Sequence, residues 1–293
     1  QIESGEWNEN TERTIDQQLW LDQLLDIIIK GAESQYWKEM SSNLAWGSTL
    51  GYNEEKIIKI WLEKAGSAVS HSKVVLMRAD IRKKFSKEIL SEAERTLNIP
   101  LAKFDRISQK IPTFTIDAEK TQDYDDAFSI IEYNEEKIDI AIHITDLSSF
   151  VTPGGKLFEE AEDRISSVYT IEESVPMFPS FLSNDIFSLK AGEERNVFSY
   201  NFTISQNGTW ELTNVVRQIV RVWENYSYEH ADYLINKNRD FWGLLHKFCK
   251  LAHEKRIEKG ALNLTRKEFE FDIKNPEQVQ IFKLNRNRPS SRI

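Results

Sequence analysis

The run Thr115-Ile116-Asp117-Ala118-Glu119-Lys120-Thr121-Gln122-Asp123-Tyr124-Asp125-Asp126-Ala127 sets four aspartates within ten residues, directly between two apolar stretches. Phe114 and Ile116 flank it on one side, Phe128, Ile130 and Ile131 on the other, and both flanks predict core strands. Carboxylates anchored at the edge of a core repel one another. Each costs on the order of several kcal/mol to desolvate unless something positive sits among them. A bound divalent cation meets that need, and hard oxygen ligands suit Mg²⁺ or Mn²⁺ better than a thiolate-seeking metal. A solvated acidic turn is the alternative. An EF-hand loop is excluded, because neither the glycine at its sixth position nor the glutamate at its twelfth falls in register from Asp117 or Asp123. In extended backbone Asp123 and Asp125 share a face and Asp126 points away. A loop that curls back on Asp117 would gather three or four carboxylates, an arrangement suited to two metals holding a phosphoryl group and an activated water.

The bulk numbers narrow the class. The net charge of −9 argues against a non-specific nucleic-acid coat, though not against a focused site that grips nucleic acid locally. No apolar run approaches a membrane span, and residues 24–29 follow acids and are too short for a secretory signal. With Cys249 as the one cysteine there is no internal disulfide partner. A reducing compartment such as the cytoplasm is the default. Cys249 lies in a helical pattern without metal spacing and reads as a packing residue. Gln1 is no initiator methionine, and 289–293 run toward what looks like a new element, so a fragment of a longer protein is expected.

The chain changes texture near residue 110. Before it, Ile15, Leu19, Leu21, Leu24, Leu25 and Ile28 predict a helix ended by Gly31. Further helices are predicted over 34–44, after the cap Asn53 up to Gly66, and over 86–97 with Ser86 as cap; 74–77 read as a short strand. This suggests a helical module over 1–110, winged-helix-like in outline. Its basic cluster Arg78, Arg82, Lys83, Lys84 and Lys87 is either a phosphate contact or, more simply, a solvated helix face. From Phe114 onward strands dominate: 127–132, 138–144, and a pair at 197–205 and 210–222 joined across Gln206-Asn207-Gly208. Helices are predicted over 157–165, 228–235 and 240–259. The fold class expected is α+β: the helical module, then a mixed sheet with helices over 111–293.

After the acidic cluster come His143-Ile144-Thr145-Asp146, then Glu160-Ala161 and Arg164, Ser166-Ser167-Val168-Tyr169, Val175-Pro176-Met177-Phe178-Pro179, Leu182-Ser183-Asn184 and Phe187-Ser188-Leu189. Further on, Arg256 precedes Gly260-Ala261-Leu262. This ordered series, from about 115 to 293, resembles the catalytic RNB domain of the RNase II / RNase R family. The helical front resembles cyanobacterial and plastid relatives more loosely. The resemblance implies a 3′→5′ hydrolytic exoribonuclease that takes single-stranded RNA to nucleoside 5′-monophosphates with Mg²⁺. An RNase II-like RNA- or protein-binding module that does not cleave, and a metal-stabilised scaffold, are the rivals.

The resemblance also carries roles. Asp117, Asp123 and Asp126 match the family's metal-binding aspartates, and Asp125 matches the one whose loss abolishes catalysis. Tyr169 matches the tyrosine that stacks on the 3′-terminal nucleotide, and Tyr228 one associated with RNA ordering. A core aromatic beside Val168 is the lesser alternative for Tyr169. Arg164 either neutralises the acidic site or pairs with Glu160 on its own helix. His143 reads as a buried, hydrogen-bonded strand residue rather than a base. Asn225 stands where the family has an arginine, Thr145 where it has alanine and Phe187 where it often has cysteine. The family's later arginine-rich motif, with its catalytic arginine and glutamate, and its C-terminal OB-fold are expected beyond Ile293.

Overall fold

The computed structural model describes residues 14–40, 54–65, 67, 70–107, 110–262, 269–272, 280–283 and 288–293. Thr14 opens helix α1 (Ile15–Lys30) with a reciprocal capping box. Its hydroxyl accepts from the Gln17 N–H at 3.3 Å, and the Gln17 side-chain oxygen Oε1 accepts from the Thr14 N–H at 2.9 Å. Gly31 ends the helix at φ 60°. Leu21, Leu24, Ile27 and Ile28 bury against α2 (Glu54–Lys64) and α3 (His71–Arg78), where they meet Ile57, Ile58, Leu62 and Val74. Ile15 and Leu19, part of the expected apolar stripe, are exposed instead.

Residues 37–40 are helical; the rest of the helix expected over 34–44, with Asn53 and Gly66, lies outside the described residues. The strand expected at 74–77 is helix α3. Ser70 caps it by accepting the Lys73 N–H at 3.2 Å, and Val74 and Leu76 are buried while Val75 and Met77 are exposed. Arg78 is drawn out of the basic cluster into structure: its Nη2 donates to the Ile28 carbonyl at 2.6 Å, closing the C-terminal end of α1.

Contacts divide the chain into two compact units, 1–84 with 169–175 and 85–168 with 176–293. In the second, α4 (Lys87–Thr96) starts at the predicted cap Ser86 and packs through Ile89 and Ala93 on Phe150, Leu157, Phe178, Leu182 and Phe187. Phe187 thus serves the core. The strands are β1 (Thr113–Asp117), β2 (Asp126–Tyr133), β3 (Lys137–Thr145), the short pair β4 (Val168–Tyr169) and β5 (Ser174–Val175), β6 (Glu194–Ser205), β7 (Trp210–Arg221) and β8 (Glu224–Ser227), with a distal pair β9 (Phe269–Asp272) and β10 (Gln280–Lys283). Six of them form one mixed sheet in the order β7-β6-β3-β2-β1-β8, antiparallel except for the parallel β1–β8 pair. The β6–β7 hairpin turns where Asn207-Gly208 predicted, with Gly208 at φ 77°. A Cβ there would meet the Leu251 carbonyl at 2.5 Å.

Phe114, Ile130, Ile138, Ile140 and Ile204 form one face of this sheet. They are covered by α6 (Tyr228–Asn236) and α7 (Trp242–Glu258) through Ala231, Ile235, Trp242, Leu245 and Phe248. The earlier helix α5 (Lys156–Arg164) begins at Gly155, where the Glu92 carboxylate accepts the Lys156 and Leu157 N–H groups at 3.0 and 3.2 Å. The fold is α+β. Among the described residues no helix is long and apolar enough to cross a membrane. Cys249 is a free thiol on α7, pushed up to about 12 by burial, which fits packing rather than chemistry.

Candidate catalytic and metal-binding site

Two strand ends make the site. β1 stops at Asp117 and β2 starts at Asp126, so the connecting loop holds Asp123 and Asp125. The strands pair Thr113 with Ser129 and Phe114 with Phe128. On its other side Asp117 pairs with Ser227, the cap residue of α6. The loop backbone is held from outside. Ser188 Oγ accepts the Tyr124 N–H and donates to the Gln122 carbonyl, both at 2.9 Å, and the Leu189 N–H donates to the Tyr124 carbonyl at 2.9 Å.

The carboxylates feel one another. Asp117 is raised to about 6, mainly by burial, with the charges of Asp126, Asp125 and Asp123 adding to the rise and a hydrogen bond from Thr115 opposing it. Asp125 is raised by burial and then by Asp123 and Asp126; Asp126 is raised by burial, although both side chains still reach solvent. The Oδ2 atom of Asp117 is buried with no hydrogen-bond partner. A buried carboxylate oxygen without a donor is costly and calls for one. Among the described residues no three His, Cys, Asp or Glu side chains form a ready-made metal cage. The donor chemistry and the orphaned oxygen therefore fit a divalent cation.

The other residues singled out fall elsewhere. Tyr169 is exposed and belongs to the first unit, whereas the aspartates belong to the second. Tyr228 opens α6, with the Arg288 guanidinium 5.7 Å from its ring centre. Arg164 is buried. It donates to Glu160 at 2.7 Å and to the Pro176 carbonyl at 3.3 Å, and lies over the Phe85 ring at 3.9 Å. His143 is fully buried between Ser129 and Ser199, each 2.7 Å from a ring nitrogen, and burial lowers it to about 4. That is the strand role expected of it. Thr145 donates to the Phe187 carbonyl at 3.1 Å, so the hydroxyl that replaces the usual alanine is satisfied.

Sequence reasoning missed a neighbouring polar hub. Asn225 donates to Thr115 Oγ1 at 3.0 Å and to the Leu189 carbonyl at 2.9 Å, and accepts the Ala191 N–H at 2.8 Å. Arg195, also buried, donates to the Ser188 carbonyl at 2.9 Å. Ser188 lay inside a quoted motif, but nothing in its type or spacing marked it as a partner of the acidic loop.

Comparison with known proteins follows the same residues. The model of the RNB domain matches residues 106–293. The exosome complex exonuclease RRP44 homolog A of Arabidopsis thaliana is 29% identical over 229 residues, which cover 73% of this chain and 24% of that protein. Ribonuclease II, chloroplastic/mitochondrial, of the same plant is 28% identical over 200 residues, covering 66% and 25%. The chain thus spans about a quarter of the length of these curated relatives. Among solved structures, Mycoplasma genitalium RNase R in complex with ribose methylated single-stranded RNA superposes with a TM-score of 0.65 at 18% identity, over 75% of this chain and 36% of that one, a likeness of fold. With the acidic cluster at the strand ends and the domain match running over most of its length, the chain belongs to the RNB-domain family.

Proposed function

We propose that this chain supplies the acidic, metal-holding part of the active site of a 3′→5′ exoribonuclease that hydrolyses single-stranded RNA to nucleoside 5′-monophosphates. The observation that carries the reading is the buried, donorless Oδ2 of Asp117 within a group of four mutually repelling carboxylates. Asp117, Asp123 and Asp126 would hold Mg²⁺, with Mn²⁺ able to substitute, as a two-metal arrangement. Bound there, the cation would neutralise the phosphodiester and lower the pKa of the attacking water. Asp125, raised by burial and then by Asp123 and Asp126, would accept a hydrogen bond from that water. Tyr169 would stack on the terminal base, a contact worth roughly 1–3 kcal/mol and tolerant of sequence. Tyr228 would order the RNA behind it. The guanidinium of Arg164 is taken up by Glu160 and Pro176, so its contribution to RNA binding would be indirect.

A second reading, a silent RNA- or protein-binding module, draws support from the lack of a three-ligand cage among the described residues. One experiment separates the two. The full-length protein is incubated with 5′-labelled single-stranded RNA at saturating Mg²⁺, beside its Asp125→Asn variant. Stepwise shortening from the 3′ end, slowed by more than about 10³-fold in the variant while RNA binding persists, supports the nuclease. RNA bound but uncut by the unaltered protein supports the silent module.

A further inference from the structure

The four carboxylates arrive on two separate pieces of backbone, one on strand β1 and one on the loop into β2, and like charges push those pieces apart. One short segment, 188–191, bonds the loop arm directly and reaches the strand arm through Asn225. At its start, Ser188 grips the loop arm: its hydroxyl is fully buried, accepts the Tyr124 N–H and donates to the Gln122 carbonyl, so both residues flanking Asp123 are pinned. Leu189 adds a third bond, to the carbonyl preceding Asp125. At the other end of the segment, Asn225 reaches from β8 to hold the Leu189 carbonyl and the Ala191 N–H. Its second amide hydrogen goes to Thr115 Oγ1 at 3.0 Å. Thr115 stands two residues before Asp117 on β1, and the Oδ2 atom of Asp117 is buried without a hydrogen-bond partner. Asn225 therefore ties the 188–191 segment to the strand that carries Asp117.

We propose that Ser188 and Asn225 are positioning residues: they fasten the 188–191 segment to both arms of the acidic cluster and so set its affinity for divalent cations. The proposal rests on the cation-binding reading above. The asparagine side chain makes all three of its bonds inside the protein, so where the resemblance led to an arginine, this chain has a clip. Removing either grip frees one arm to recoil from the other.

The test uses the full-length protein and two readouts. Mn²⁺ binding is followed by paramagnetic resonance, with Asp117→Asn defining the site by what it abolishes. In parallel, the Mg²⁺ concentration for half-maximal RNA hydrolysis is measured. Ser188→Ala and Asn225→Ala should each weaken Mn²⁺ binding about tenfold and raise the Mg²⁺ midpoint by a similar factor. Turnover at saturating Mg²⁺ should stay within about threefold, since no group that touches substrate has been removed. Thr203→Val, which deletes the 2.6 Å bond to Asp139 at the far end of the sheet, serves as the control for stability alone. It should lower the melting temperature without moving either metal readout. Metal affinities unchanged in both clip variants, or lowered equally in Thr203→Val, overturn the proposal. If the unaltered protein binds Mn²⁺ but releases no mononucleotide, the catalytic reading fails and the Mn²⁺ affinities alone decide for or against the clip.

Discussion

Burial and three neighbouring carboxylates hold Asp117 at about 6, so it takes up a proton as pH falls through that value. The folded state binds this proton more tightly than an unfolded carboxyl near 3.8, so the group costs the fold stability as pH rises from about 4 to about 6. Without metal, Asp117→Asn should therefore raise the melting temperature by about 2–5 °C at pH 7.5 and change it little at pH 4. Calorimetry at the two pH values checks this; an equal shift at both would contradict it. His143 works in the opposite direction. Its ring is lowered to about 4, so its contribution is complete above the ordinary imidazole value of 6.5 and is lost as pH falls from there toward 4. His143→Gln should flatten the acid side of the stability curve. Ile165 stores strain of another kind. It sits at φ 66°, ψ −43°, with the Ser166 N–H donating to the Arg164 carbonyl at 2.7 Å, a γ-turn that a β-branched residue adopts only under constraint. Its side chain is 82% exposed, so little packing is at stake. Ile165→Gly should stabilise the protein by about 1 kcal/mol in urea titration, and a loss of stability would rule out the strain.

At the level of elements, the long strands β2, β3, β6 and β7 were legible because alternating apolar side chains leave few other solutions, and Asn207-Gly208 marked its own turn; the short strand β8 was not. The segment 74–77 was not, since buried Val74 and Leu76 with exposed Val75 and Met77 give a strand's alternation on a short helix. What settles it is the Ser70 cap, a local signal that the alternation masked, together with packing against α1, which has no local signature. The acidic residues of the site could be read from charge and spacing. The clip could not, because Ser188 and Asn225 are uncharged and meet the acidic arms through the long-range parallel pairing of β8 with β1. Glu92 is a similar case: it lies on α4, yet its carboxylate caps α5. Glu92→Ala should cost about 1 kcal/mol, measured by chemical denaturation, because it leaves two helix N–H groups to water.

Over the whole chain, a resemblance carried by ordered motifs held where overall identity to the relatives is below a third. Those motifs lie within the matched residues 106–293, and the helices before them lie outside that match. A net charge of −9 means that any hold on RNA must come from a local site and from bound cations rather than from the general surface. That places the weight of the account on one physical event, the capture of a divalent ion by Asp117 and its neighbours. The most direct measurement is a Mn²⁺ titration of the full-length protein at pH 7.5, followed by paramagnetic resonance, beside the Asp117→Asn variant. The account predicts saturable binding that weakens as pH falls through about 6 and is lost in the variant. Equal Mn²⁺ binding by the two proteins at every pH would contradict it.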